Sequence, residues 1–176
     1  QSAAGGGVIG ALGTHAFDLL HWLVGPTLSV SGQISTSIPE RLDQASGQKN
    51  KVTSEDIALA HLELLDAKGS SVIPAQVTLS SVSKKGRGCF VEIYGDKGTL
   101  ILGSENQKDY VHGFRLYIAE GEEQLKEIEP EEDLAFTKTW SDGRIAPVSR
   151  IQGLWSDSIR NHKPIIPGLA EGLESQ

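Results

Sequence analysis

Three short turns, each set between runs of strand-forming residues, constrain this chain more than any other feature. Asp66-Ala-Lys-Gly69 separates residues 57–65 from 71–82, Gly95-Asp-Lys-Gly98 separates 89–94 from 99–102, and Glu120-Gly121 separates 114–119 from 124–128. Turns of this composition join neighbouring strands as hairpins. Hairpins in succession build an antiparallel sheet, because parallel strands need crossovers of a dozen residues or more. Residues 28–38 add an earlier strand, with Val30 and Ile34 alternating among Ser, Thr and Gln. Residues 39–51 are polar, contain Gly47 and read as a loop. The class predicted is α+β, an open and mainly antiparallel β-sheet covered on one face by helices.

Helical periodicity is confined to the two ends. Near the C-terminus, Ile151, Leu154, Trp155 and Ile159 recur at helical spacing over 147–160. Near the N-terminus, Phe17, Leu20, Leu23 and Val24 do the same, with Leu19 and Trp22 widening the apolar side. Gly25-Pro26 supplies the stop, and Thr14 is the expected N-cap. A helix beginning there places His15 at the positive end of the dipole, which favours a neutral imidazole suited to act as a base. It also leaves backbone N–H groups of the first turn open to a ligand.

His15 and Asp18 stand three residues apart and so leave one face of this helix. That is how a site is built, and equally how a helix start carries two ordinary polar residues. His21 extends the series to i+6, but residues six apart diverge by more than half a turn, unlike the i, i+4 pair of helical zinc motifs. No metal site is expected. His61, His112 and His162 have no partners at recognisable spacing and read as ordinary residues.

The opening Gly-Gly-Gly-x-x-x-x-x-Gly-x-His-x-x-Asp-x-x-x-Trp-x-x-Gly run, from Gly5 to Gly25, resembles the start of the C-terminal domain of the Gfo/Idh/MocA oxidoreductases. Three later segments resemble the same family in the same order. They are Val52-Thr-Ser-Glu-Asp56-Ile-Ala, Val91-Glu-Ile-Tyr-Gly95-Asp-Lys-Gly98-Thr-Leu100, and Ile159-Arg-Asn-His-Lys-Pro164 followed by Gly168 to Gln176. Together they cover nearly the whole chain. The resemblance implies a fold similar to the C-terminal domain of glyceraldehyde-3-phosphate dehydrogenase, whose free sheet face packs on another subunit. The alternating stretch from Gln76 to Ser83 could supply part of that surface, or be a solvated polar face. Residues 1–176 are then the substrate-binding and oligomerisation domain, without the Rossmann domain and Glu-Lys-Pro motif that family members carry upstream. Gly5 to Gly7 are not that domain's phosphate turn, which needs a strand before and a helix after it within a βαβ unit. They read as a linker or a close-packing element.

Carried onto this sequence, the resemblance assigns His15 as the catalytic proton acceptor and donor. Oxidising a carbinol requires removal of the hydroxyl proton as hydride leaves, and a neutral imidazole is matched to that task near pH 7. Asp18 would hold a substrate hydroxyl or orient His15, Thr14 would add its hydroxyl, and Arg144, in the turn Asp142-Gly-Arg144, would approach the substrate. Many members carry an aspartate four residues before this histidine, where this chain has Ala11, which can neither accept a hydrogen bond nor relay a proton. Glu55 and Asp56 are expected to be structural, Trp140 and Trp155 to pack, and the acidic run 120–133 to be solvated. The resemblance implies NAD or NADP as cofactor of the full-length protein, with none bound by this chain alone.

A hydrophobic fraction of 38% with 22% charged residues fits one soluble domain. The formal charge of −7 argues against a nucleic-acid partner, which needs a basic stripe. No apolar run approaches a membrane span. Cys89 stands alone, so no internal disulfide forms, and a reducing, cytoplasmic setting is expected. Two functions follow as expectations: the substrate-binding half of an NAD(P)-dependent oxidoreductase acting on a sugar, polyol or related hydroxy or keto compound, as a homo-oligomer; or a non-catalytic binding module that kept the fold.

Overall fold

The computed structural model describes residues 5–106, 114–129, 131 and 136–176, which leaves His112 and part of the acidic run outside the described residues. The chain divides into two compact units, one running to Lys84 and taking in Ile166–Gln176, the other comprising Lys85–Ile165.

In the first unit, β1 (Thr27–Ser35), β4 (Ile57–Leu65) and β5 (Val72–Ser80) form an antiparallel sheet with β4 in the centre. The alternation of β4 sorts its two faces. Ala58, Leu62 and Leu64 are buried. Their cross-strand neighbours Leu79, Ala75 and Ile73 on β5, and Ile34 and Val30 on β1, share that face. Leu64 is only 1% exposed, and truncating a leucine in such a site costs about 2–5 kcal/mol. The opposite face carries Ser31 and Gln33, Leu59 and His61, Gln76 and Thr78 in matching register. It is polar on β1 and at Gln76 to Ser80, with Ile57, Leu59 and Leu65 of β4 among the polar residues.

The helical segment lies on the apolar face. It begins as a π-helical turn, Ile9–Gly13, and continues without a break as α1 (Thr14–Leu23). Gly13 is buried at the end of this turn, beside Leu79 of β5. The segment ends as Gly25-Pro26 predicts: Gly25 has φ +144°, and a side chain there would collide with the Leu65 carbonyl. The short α3 (Leu169–Glu174) packs beside α1.

Residues 39–51 are not the expected loop but a small hairpin, β2 (Glu40–Leu42) paired with β3 (Lys49–Lys51). Strands of three residues are too short to show alternation. Their turn is organised by Asp43, whose carboxylate accepts the Ala45 N–H at 2.9 Å and the Ser46 hydroxyl at 2.8 Å. These bonds, the Ser46 hydroxyl first, hold the Asp43 carboxyl below the usual carboxylate range.

In the second unit β6 (Cys89–Gly95), β7 (Gly98–Ser104), β8 (Arg115–Glu120) and β9 (Lys126–Ile128) form an antiparallel meander. Val91, Ile93, Leu100, Leu102, Leu116 and Ile118 share one face. On the other, Phe90 covers Gly103, where a Cβ would strike its ring. Nearby, Glu92 accepts the Tyr94 hydroxyl at 2.6 Å and pairs with Arg87. The Tyr94 hydroxyl, and then Arg87, hold the Glu92 carboxyl low, while the same bond pushes the Tyr94 phenol up. The helix predicted over 147–160 is α2 (Ile145–Asn161), closed by His162 in a left-handed conformation at φ +52°. Trp155 does not pack as expected: it is 55% exposed on a stripe with Val148 and Ile159. Among the described residues no helix is long and apolar enough to cross a membrane.

Candidate active site

The site begins with how the segment carrying His15 is started. Thr14 is not its N-cap. The Thr14 N–H donates to the Ile9 carbonyl, five residues back, inside the π turn, so it is spent on the backbone rather than open to a ligand. The first turn begins instead at Val8 and is closed from a distant loop. The Val8 N–H donates to the Glu55 carbonyl at 3.0 Å and the Ile9 N–H to the Glu55 carboxylate at 3.1 Å. The positive end of the dipole therefore lies at Ile9 beside a carboxylate, more than a turn before His15, and terminal partial charges fade within the first turn. His15 does not stand at the positive end of this helix.

Glu55 and Asp56 are structural, as read. A Cβ at Gly7, which has φ +144°, would collide with the Glu55 carboxylate, so this glycine is the close-packing element. Asp56 is 2% exposed and accepts the N–H groups of Ser37 at 2.7 Å and Ile38 at 2.9 Å. The Ser37 bond, followed by that of Ile38, holds its carboxyl low against the opposing effect of burial.

His15 and Asp18 are both exposed on α1, and the side chain of neither makes a hydrogen bond to any described residue. Thr14 is half-buried one residue before His15. Trp22 does not widen the apolar side: it is 80% exposed and continues the His15, Asp18 series at i+7. The period fixes which residues share a face but not how far a cover extends along it. His21 is half-buried, and its Nε2 lies 2.8 Å from the Thr27 hydroxyl. Arg144 belongs to the second unit, where its guanidinium donates to Asp142 at 2.9 and 2.7 Å and its N–H donates to the same carboxylate at 3.0 Å. This turn leads into α2.

A cleft of about 410 Å³ opens within the first unit, between the helix start and the β2–β3 hairpin. Val8, Ala11 and Leu12 line one side and Arg41, Asn50 and Lys51 the other, with the 52–56 loop between them. Ala11 is one turn before His15. Nothing in the residue pattern of 39–51 marked Arg41 or Asn50, because the hairpin that presents them was hidden.

A dinucleotide phosphate turn needs a strand before it and a helix after it within a βαβ unit. Every strand pair among the described residues is antiparallel, so none belongs to a βαβ unit. At the helix start behind Gly5 to Gly7, where a pyrophosphate would be sought, the Glu55 carboxylate already accepts the Ile9 N–H.

Comparison with known proteins gives the class, the C-terminal α/β domain of an oxidoreductase family. Residues 1–176 match the family described as "Oxidoreductase family, C-terminal alpha/beta domain", and the chain belongs to that Gfo/Idh/MocA family. It is 43% identical, over its whole length, to an uncharacterised oxidoreductase of Synechocystis sp., of which it covers 46%. It is 26% identical over 62% of its length to levoglucosan dehydrogenase of Pseudarthrobacter phenanthrenivorans, covering 30% of that protein. The chain thus spans less than half the length of these relatives. Among solved structures, levoglucosan dehydrogenase in complex with NADH and L-sorbose superposes with a TM-score of 0.73 at 20% identity, over 96% of this chain and 46% of that one. A super-repressor mutant of Gal80p from Saccharomyces cerevisiae superposes with a TM-score of 0.62 at 18% identity, over 92% and 41%. Both likenesses bear on the fold, which is the α+β arrangement expected.

Proposed function

We propose that this chain is the substrate-binding and oligomerisation half of an NAD(P)-dependent oxidoreductase acting on a sugar, polyol or related hydroxy or keto compound. The observation that carries the reading is the pairing of His15 with Asp18 on an exposed helix face, free of internal hydrogen bonds, in a domain of an oxidoreductase family. The half-buried His21, by contrast, is partnered by Thr27. His15 is kept open toward whatever meets α1.

In this reading a ring nitrogen of His15 accepts the hydroxyl proton of a carbinol as the adjacent C–H bond gives up hydride, leaving a carbonyl and an imidazolium; reduction runs the same proton back. Asp18 bonds a second hydroxyl or orients the imidazole, and Thr14 adds its hydroxyl beside them. The family resemblance also assigns Arg144, in the turn before α2, to the substrate. The hydride acceptor, NAD or NADP, is held outside this chain, which binds neither by itself. The polar face of the β1–β4–β5 sheet packs on a second copy, and the protein works in the cytoplasm on a small molecule, not on nucleic acid or a membrane. The likeness to levoglucosan dehydrogenase, seen in complex with NADH and L-sorbose, supports the substrate class.

The second reading, a non-catalytic module, is favoured by Ala11 and by the likeness to Gal80p, which is known as a transcriptional regulator. Replacing His15 with Gln in the longer protein separates the two. General-base catalysis contributes about 10²–10⁴-fold, so turnover of a reacting sugar should fall by about a hundredfold or more with cofactor affinity unchanged. Near wild-type turnover in that variant makes His15 structural and removes the catalytic assignment.

A further inference from the structure

We propose that the outward side of the α1–α3 layer, with Trp22 as its apolar anchor, is the surface on which the other half of the longer protein, the half that holds the hydride acceptor, is seated. The surface is read from the structure, and its occupant rests on the dehydrogenase reading.

Trp22 stands seven residues after His15 and four after Asp18, so the three side chains run down one line of α1, about 10 Å long at 1.5 Å per residue. All three are exposed. Trp22 has company. Among the described residues the four most exposed large apolar side chains are Leu169, Trp22, Ile166 and Leu173, and all four belong to the first unit. Leu169 and Leu173 stand one turn apart on α3, which packs beside α1, and Ile166 lies three residues before Leu169. Single exposed apolar residues are ordinary, whereas several gathered on one layer mark an interaction surface. Tryptophan is among the side chains that most often anchor one.

Three observations point to the occupant. A second copy is assigned to the polar face of the β1–β4–β5 sheet, and α1 lies on the opposite face, so that contact leaves Trp22 uncovered. The chain covers 46% of the oxidoreductase to which it is 43% identical, so more than half of a protein of that kind lies outside the matched region. The reaction then fixes where that half must come. The carbon that yields hydride bears the hydroxyl whose proton passes to His15, so the acceptor and the imidazole flank one substrate and approach it to about 3–3.5 Å. Whatever holds the acceptor therefore reaches α1 from the side that His15 faces. A body large enough to do so also covers Trp22, about 10 Å further along the same line. Burying Trp22 there shuts water away from His15 and Asp18, which strengthens their interactions with a bound substrate.

Hydroxyl-radical footprinting read by mass spectrometry tests the seat. Trp22 should be oxidised about fivefold more slowly in the longer protein than in this chain, as expected of a desolvated anchor, and its rate in this chain should not depend on protein concentration. Trp22→Ala should leave the urea midpoint of this chain unchanged, because an exposed side chain away from any partner contributes little to stability. In the longer protein it should lower kcat about tenfold or more by loosening the placement of the acceptor, with Trp22→Phe restoring most of the loss. Equal oxidation in the two proteins, protection that grows with the concentration of this chain alone, a lowered midpoint for Trp22→Ala in this chain, or a wild-type kcat for Trp22→Ala in the longer protein overturns the proposal. Its failure is separable from that of the dehydrogenase reading. Trp22 shielded in a longer protein that oxidises no alcohol removes the reading and leaves the surface, and turnover that depends on His15 while Trp22 is oxidised as fast as in this chain removes the surface and leaves the reading.

Discussion

The carboxylate of Glu55 accepts the backbone N–H of Ile9 at 3.1 Å, across 46 residues of sequence, and so closes the start of the helix that carries His15. The bond ties the placement of His15 to a loop between two strands. It also accounts for Gly7, since any side chain there would occupy the carboxylate's position.

Removing this closure should cost what a lost helix cap costs. Glu55→Ala is expected to lower unfolding stability by about 0.5–2 kcal/mol. Gly7→Ala adds strain at φ +144° to the collision and should cost more than Glu55→Ala. Urea denaturation of the two variants checks both size and order. Equal stabilities of wild type and Glu55→Ala would show that the bond contributes nothing.

Acid should act through Asp56. Its folded-state carboxyl titrates below the ordinary value of 3.8 because Ser37, and then Ile38, donate to the ionised form. The stabilisation is fully present above the unfolded value and is lost as pH falls through the folded one. Melting temperatures measured from pH 6 to pH 2 should therefore drop most steeply below about pH 4, and Asp56→Asn should be less stable at neutral pH with a shallower fall. A variant that tracks wild type throughout that range contradicts the role.

Asp18→Asn keeps shape and hydrogen bonding but loses charge, so in the longer protein it should raise KM about tenfold, as expected for one charged hydrogen bond. Ala11→Asp tests the geometry from the other side. A carboxylate one turn before His15 favours the protonated imidazole, and the pH–rate profile should move upward. If Ala11→Asp leaves that profile in place, residue 11 and His15 do not share a site.

Self-association is expected through the polar face bearing Ser31, Gln33, His61, Gln76 and Thr78. Light scattering at high protein concentration should report a dimer or larger species, and a bulky charge at the centre of the face, as in His61→Glu, should shift it toward monomer. A wild-type mass that stays monomeric sinks this interface.

What the sequence disclosed follows from the range of the forces involved. Turn chemistry is local, so the hairpins at Asp66, Gly95 and Glu120 were legible within a few residues. Asp66, for example, makes its own turn by accepting the Ser70 N–H at 2.7 Å and hydroxyl at 2.8 Å. Periodicity placed α1 and α2 to within a few residues of their ends. The true start of the first helical segment was not legible, because its cap is Glu55 and no window around Thr14 contains it. Trp22 was misread for a related reason, since an aromatic at helical spacing is apolar in pattern whether or not anything covers it. The 39–51 hairpin escaped because its strands are shorter than one full alternation. With it went Arg41 and Asn50.

The wide turn before α1 also has a kinetic side. A helix is ordinarily among the first elements to form, because its contacts are close in sequence. This one has its first turn closed only when residue 55 is brought back, and closing a loop of that length costs roughly 3 kcal/mol beyond a constant term. The residue proposed for proton transfer thus precedes residue 55 by 40 positions yet should acquire its final position only after it. Destabilising the loop at Ser54 to Asp56 should accordingly slow the maturation of the His15 environment while leaving the C-terminal part of α1 to form early.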